Sequence, residues 1–250
     1  MTWTIVLRGI AVTALKDIKI YYRKAPVYIF GLVLPLFLFF AFFVGRDLDI
    51  QRYFPGFLAM TIFFTSSSVG PLIIPWEKQA GTFERLLTLP VSVPMIIIGD
   101  TLAGTLFGIG ISLVVFAAGA AFLSLTVISF HILSLAVLFF LGNLCFSSLG
   151  VLISSPSGKV PSNVMMLSTL VRFPLIFISG IFTPLVELSA GARTLSFISP
   201  LTYLSDGLNA SMGQPYVLPL WQGVMMMTAF TVVFLFAASV ILKRKSMKGL

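Results

Sequence analysis

Few residues in this chain could do covalent or metal chemistry. Its 250 residues hold one histidine, His131, one cysteine, Cys145, and eight carboxylates, and none of them recurs at metal-ligand spacing. His131 falls at the predicted outer end of an apolar run and suits a structural role at the membrane interface. Cys145 lies inside that run and reads as a small packing residue, with no second cysteine to pair with. Ser157-Gly158-Lys159 evokes a phosphate loop, but the upstream glycines are missing and Val160 stands where Ser or Thr would hold magnesium. Asn209-Ala210-Ser211 fits a glycosylation triplet, a pattern common by chance. No catalytic, cofactor or metal site is expected.

What remains is docking and ion-pair chemistry. The stretch Trp76 to Val91 (WEKQAGTFERLLTLPV) is a short charged insert between two apolar runs. Gly81 breaks the chain, Thr82 is the expected N-cap, Glu84 suits the positive end of the helix dipole, and Pro90 stops the helix. Phe83, Leu86 and Leu87 then form a compact apolar face bordered by Glu84, Arg85 and Thr88. Such a knob either docks into a cleft of a soluble partner or dips into lipid as an interfacial loop. Arg172 lies about eight residues into another apolar run, where a central charge costs on the order of 3 kcal/mol on insertion scales. Either it snorkels to the head groups, or it faces a cavity or pairs with Asp100, near the same end of a different run. Pro174 and Gly180 follow it, so a kinked or broken helix is expected there.

The elements that must position these residues are membrane helices. The chain is 58% hydrophobic and 10% charged, with a mean hydropathy of +1.07, against about 25% charged in soluble domains. Six apolar runs stand out, at 26–45, 54–75, 94–123, 131–153, 164–185 and 218–242. This predicts one transmembrane domain over 1–250, with a six-span bundle over 26–242 and a basic tail at 243–250. There is no room for a sizeable soluble domain, so energy coupling is expected on another chain. No cleavable leader is expected: the first run begins at Pro26 and no A-x-A-like site follows it. The net charge of +8 reflects topology rather than nucleic-acid binding, because the basic residues flank apolar runs. One side collects twelve Lys and Arg: Arg8, Lys16, Lys19, Arg23, Lys24, Lys78, Arg85, Lys159, Lys243, Arg244, Lys245 and Lys248. The other side has three, Arg46, Arg52 and Arg193. Both termini are therefore expected in the cytosol.

Residues 1–24 are periodic at the helical repeat. Trp3, Val6, Leu7, Ile10, Ala14, Ile18 and Tyr21 fall on one face, and Arg8, Lys16, Lys19 and Arg23 on the other. This suits a helix lying along the cytosolic surface, its basic face toward head groups or a partner; the alternative is a simple topogenic flank. Between the last two runs, residues 186–219 carry recurring Leu195, Ile198, Leu201, Leu204 and Leu208, which suits one or two short helices folded back into the outer leaflet. Gly104 and Gly108, with Gly110 nearby, form a weak small-xxx-small pattern for close helix packing.

Two segments resemble a known family, the permease subunits of type-2 ABC exporters, which move drugs, lipids or polysaccharides. Glu77-Lys78-Gln79-Ala80-Gly81-Thr82-Phe83-Glu84-Arg85-Leu86-Leu87 through Leu89-Pro90-Val91-Ser92 resembles that family's coupling region. Phe173-Pro174 through Ser179-Gly180-Ile181-Phe182 and Pro184 to Ser199-Pro200-Leu201-Thr202-Tyr203 is similar to its fifth span and external re-entrant helices. After Asp206-Gly207-Leu208 the family often has a basic residue, and here Asn209 stands there. The resemblance implies an all-α polytopic membrane protein of the cell membrane: six spans, an N-terminal amphipathic elbow helix at 1–24, a cytosolic coupling helix, and external re-entrant helices between spans five and six. It implies ATPase contacts at Glu77, Gly81, Thr82, Phe83, Glu84, Arg85, Leu86 and Leu87, and a translocation or gating role for Arg172, Pro174, Ser179, Gly180, Pro184 and Pro200. The implied partners are separate ABC ATPase subunits, a second permease copy or paralogue, membrane lipid, and a hydrophobic or amphipathic cargo.

Three other functions compete. A secondary transporter or channel usually needs acids deep in the bilayer, and Asp100 is the only acid near a span on the cytosolic side; no repeat relates the two halves. A scaffold that docks a partner without transport is the second, and a membrane-embedded enzyme, lacking a catalytic cluster, the third. An adjacent gene for a lone ATP-binding cassette separates export from all three.

Overall fold

The computed structural model describes residues 3–22, 24–45, 49–88, 91–122 and 131–246. Arg23, Arg46, Leu89, Pro90, Lys248 and the side chain of Trp3, named above, lie outside what it describes. The described residues are helical, with no strand among them.

Helix α1 (Trp3–Ile20) leads to α2 (Ala25–Tyr28), a π-helical turn (Ile29–Val33) and α3 (Leu34–Phe43). Pro35, in the first turn of α3, has no N–H to donate and its ring crowds the carbonyl one turn back, and the helix widens there rather than breaking. The first expected span is thus helical from 25 to 43 but in three pieces, reaching about 28 Å at ~1.5 Å per residue. Among the described residues five helical stretches are long and apolar enough to cross a membrane, and 25–43 is not one of them: Ile50–Gln79, Val93–Ala121, Ile132–Ser154, Pro161–Ile178 and Leu220–Lys245.

The second expected span is two helices, α4 (Ile50–Ser67) and α5 (Gly70–Gln79). Pro71 cannot donate to Ser67, and the hydroxyls of Ser66, Ser67 and Ser68 donate back to the carbonyls of Ile62, Phe63 and Thr65, a substitution that bends helices. Every residue of the most apolar window here is buried, making this pair the centre of the bundle. Around it pack α7 (Val93–Phe122) and α8 (Ile132–Ser154), and α12 (Leu220–Ser246) packs on the far side against α8. The last turn of α12 takes in Lys243, Arg244 and Lys245, which suit a helix C-terminus, so the basic tail is helical to Ser246.

Close approaches are built on small residues. A Cβ on Gly104 would lie 2.1 Å from Ser147 Oγ, and one on Gly108 2.1 Å from Asn143 Oδ1, so this pair does pack α7 tightly; Gly110 faces open space. At Gly70 the obstacle is backbone: a Cβ would lie 2.8 Å from the Gly150 carbonyl carbon and the Val151 nitrogen. Asn143 links three helices, lying 3.0 Å from the Ser66 hydroxyl on α4 and 3.5 Å from Ser112 on α7.

The fifth expected span is shorter than the apolar run. Helix α9 (Pro161–Ile178) passes through Pro174 without a break and stops before Gly180, whose φ of +78° belongs to the left-handed region. Two short helices follow before α12: α10 (Ala190–Ser196) and α11 (Pro200–Ser211). Every residue of α11 is buried, against α4, α8 and α12. The glycosylation triplet is therefore packed inside, with Asn209 buried. Arg193 donates to the carbonyls of Leu185, Val186 and Leu188, Arg52 pairs with Glu187, and Asp206 accepts from the backbone N–H groups of Val217 and Leu218.

Candidate functional site

Helix α1 reaches the bundle through glycines. A Cβ on Gly99 of α7 would lie 2.6 Å from Thr13 Cβ, and one on Gly9 2.6 Å from Met95 Cε. The stripe of α1 that this contact buries includes Thr13, Ala14 and Asp17, while Leu7, Val12, Leu15 and Ile20 stay exposed. After α1 the chain turns so that Tyr21 stacks on Trp76 at 5.5 Å and Lys24 Nζ sits 4.0 Å above the Trp76 ring. Tyr22, buried, packs against Phe107 at 4.7 Å.

The expected basic face of α1 is broken at Lys16. Its ammonium turns inward to pair with Glu77 of α5 and lies 3.1 Å from Asp17 Oδ1, because two buried carboxylates attract it more than a head group in high dielectric can. Burial alone would lower the Lys16 pKa, but Asp17, Glu77 and Asp100 outweigh it and the pKa is raised. Burial also lifts Asp17 above its ordinary carboxylate value, offset only in part by the facing Asp100 carboxyl and by Lys16. Asp100, on α7, completes this junction of three elements. Arg8, Lys19 and Ile20 face outward.

Two consequences correct the sequence reading. Glu77, expected at a partner contact, is 1% exposed and committed to Lys16. Asp100 does not pair with Arg172; it faces Asp17.

The insert forms α6 (Thr82–Thr88), entered through Gly81 at φ +67°. Thr82 is the first helical residue rather than the cap, and its hydroxyl donates 3.2 Å back to the Glu77 carbonyl, closing the end of α5. The expected knob is divided. Phe83 is 3% exposed, packed with Ile74, Ile97, Val151 and Leu242, and Leu87 packs against the same cluster. These two anchor α6, since a seven-residue helix has too little face to present three large side chains outward and still hold to the bundle. Leu86 and Arg85 instead line a groove of about 790 Å³ between α6 and the end of α1, with Ile20, Lys24, Trp76 and Thr82. Glu84 is exposed outside it. Lys78 donates 2.7 Å to the Ser157 carbonyl, so Ser157-Gly158-Lys159 is a loop tied to the end of α5.

The second set of residues does not converge. Arg172 is 1% exposed and does not snorkel. Its Nε donates to Ser168 O at 3.3 Å, its Nη1 lies 3.5 Å from Ser67 Oγ, and its Cζ sits 5.7 Å from the Phe64 ring centroid. Among the described residues no carboxylate lies within ion-pair distance of it. Pro174 lies on the opposite, outward side of α9, in an apolar groove of about 880 Å³ with Met166, Leu170, Phe173 and Phe177. Ser179 and Gly180 end the helix, Pro184 is buried in the following loop, and Pro200 opens α11, where the preceding Ser199 donates 3.1 Å to Leu175 O.

Sequence reasoning missed the junction of Lys16, Asp17 and Tyr22 with Glu77 and Asp100. The signal was present: Asp17 follows Ile10 and Ala14 on the apolar side of the α1 repeat, where an acid needs a partner. Among the described residues no group of three or more His, Cys, Asp or Glu could hold a metal ion. A family model described as ABC-2 type transporter matches residues 9–212. No curated protein matches the chain.

Proposed function

Since this chain belongs to the ABC-2 type transporter family, as a multi-pass membrane permease, we propose that it forms the translocation path of an exporter driven by separate ATPase subunits, with both termini and α6 in the cytosol. The observation that carries this reading is the groove between α1 and α6. Two segments sixty residues apart in sequence, both expected to face a partner, border one concavity with Lys24, Arg85 and Leu86 on its walls. A protruding element of an ATPase would seat there, against Leu86 and Ile20.

Motion then passes by contact. The Lys16–Glu77 pair ties α1 to α5, and Phe83 ties α6 to α5, α7, α8 and α12. A push on the groove therefore moves α1 and α5 together, and α5 touches α9. Closure of the ATPases biases two packings of the bundle. The outward groove of α9 supports a role in lining a path shared with a second permease copy or paralogue, and its Met and Phe lining suits a hydrophobic or amphipathic cargo. The chain itself breaks no covalent bond.

Leu86→Asp tests the reading. It replaces the apolar side chain against which a partner would seat with a hydrated carboxylate while leaving the Phe83 anchor intact. The permease is expected to accumulate normally, while ATPase co-purification and permease-dependent stimulation of ATP turnover fall sharply. Unchanged association and stimulation would refute the docking role of α6.

A further inference from the structure

The Lys16 ammonium gives its hydrogen bond to Glu77 and reaches Asp17 only as an ion pair at 3.1 Å, leaving Asp100 with no cation beside it. Asp17 and Asp100 are both buried, and none of their four oxygens accepts a hydrogen bond from an N–H or a hydroxyl. Lys16 is near Asp17 Oδ1 but off the hydrogen-bond direction, and its bond goes to Glu77. Tyr22, beside both acids, is buried with its hydroxyl unpartnered. Buried acceptors without donors are strongly disfavoured, more so when charged. Thr13, one turn before Asp17, meets Gly99, the neighbour of Asp100, which sets the two buried carboxyls against one another across the α1–α7 contact, and two carboxylates cannot bond unless one carries a proton.

We propose that the α1–α7 contact is a proton-held latch: one proton shared by Asp17 and Asp100 keeps the N-terminal helix docked, and alkalinisation of the surrounding solution releases it. The groups that face this pair are Lys16 on α1, Tyr21 and Tyr22 in the following turn, Glu77 on α5 and Asp100 itself on α7. Fully ionised, three carboxylates would oppose a single ammonium. With the proton in place one excess charge is removed and the repulsion across the interface becomes a bond. Release must also part Ala14 and Ile18 from their apolar cluster with Ala103 and Leu102 and open the Lys16–Glu77 pair, so the proton is one of several holds on α1, and the outward Leu7, Val12, Leu15 and Ile20 let the freed helix remain on the membrane surface.

The sign follows from the raised pKa of Asp17 in the docked state. Docking favours the protonated form, so the contact is strongest at low pH. It weakens as pH rises from the ordinary carboxylate value through the raised one. One proton lost on opening makes the opening constant rise about tenfold per pH unit within that window.

This latch stands apart from the ATPase reading, because α1 opens with or without a bound partner. The test is amide hydrogen exchange of residues 6–20 in the full chain in neutral-lipid nanodiscs, from about pH 4, near the ordinary carboxylate value, to about pH 9, corrected for the intrinsic pH dependence of exchange. Exchange is expected to accelerate up to tenfold per pH unit in α1 and to stay flat in α8. In Asp100→Asn the side-chain amide donates to Asp17 at every pH, and the slope is expected to vanish. Asp17→Asn makes the same bond from the other side and gives the same result if the first variant fails to accumulate. An infrared band of a protonated carboxyl should fade along the wild-type curve. A flat wild-type profile, a missing band, or a wild-type slope in either variant would overturn the latch. Loss of ATPase association at every pH with the slope intact would instead overturn the coupling reading alone.

Discussion

The junction of α1, α5 and α7 and the neighbourhood of Arg172 both bury charge, and they neutralise it in opposite ways. At the junction Glu77 and Asp17 pair with one ammonium, and Asp100 is buried beside them. At Arg172 a guanidinium is held by a carbonyl, a hydroxyl and the face of a ring. Pairing fixes geometry tightly, because removing any member strands the others. Dipoles and rings hold a cation more loosely, and nothing is stranded when it goes.

Lys16→Met is expected to have the largest effect of the changes that probe this contrast. It leaves Glu77, Asp17 and Asp100 buried without a cation, and losing one partner of a buried pair costs about 3–5 kcal/mol. The thermal midpoint in detergent and the exchange protection of α1 should both fall, and Lys16→Arg should recover most of the loss. A wild-type midpoint for Lys16→Met would mean that pairing does not hold the junction.

Arg172→Met should be far milder and can reverse sign. An apolar side chain of similar length removes a buried charge that has no carboxylate beside it, so stability should change by no more than about 1 kcal/mol or rise. A drop of several kcal/mol in the same assay would reveal an anionic partner and erase the contrast.

The smallest effect expected is a coupling near zero between the two regions. Arg172→Ala and Asp100→Ala share no partner, so their stability changes should add within about 0.5 kcal/mol. A double-mutant cycle with clear non-additivity would restore the Asp100–Arg172 pair that the structure separates.

The long helices were legible because apolar runs carry their own length: 94–123 became Val93–Phe122, and 131–153 became Ile132–Ser154. The break inside Ile50–Gln79 was not, because Pro71 and each serine are individually tolerated in a span and only their combination bends the chain. The end of α9 was misjudged because Ile181 and Phe182 prolong the apolar run beyond the left-handed Gly180. That the insert forms a short helix of its own was readable from Gly81 and Thr82. Which side Phe83 faces was not, since two turns of helix give too few positions to define a stripe. Lys16 was misread for a different reason: a flexible stem lets an ammonium assigned to one face reach around to the other.

The meeting of Gly70 with Gly150 gives the centre of the bundle a fulcrum. With no side chain between α5 and the α8 backbone there is no compressible layer to absorb displacement. Glu77 sits about 10 Å along α5 from that point by helical rise, so a movement of ~1 Å at the Lys16 pair tilts α5 by roughly 6°. Small residues thus set the leverage: any side chain added at the fulcrum would turn rotation into slack.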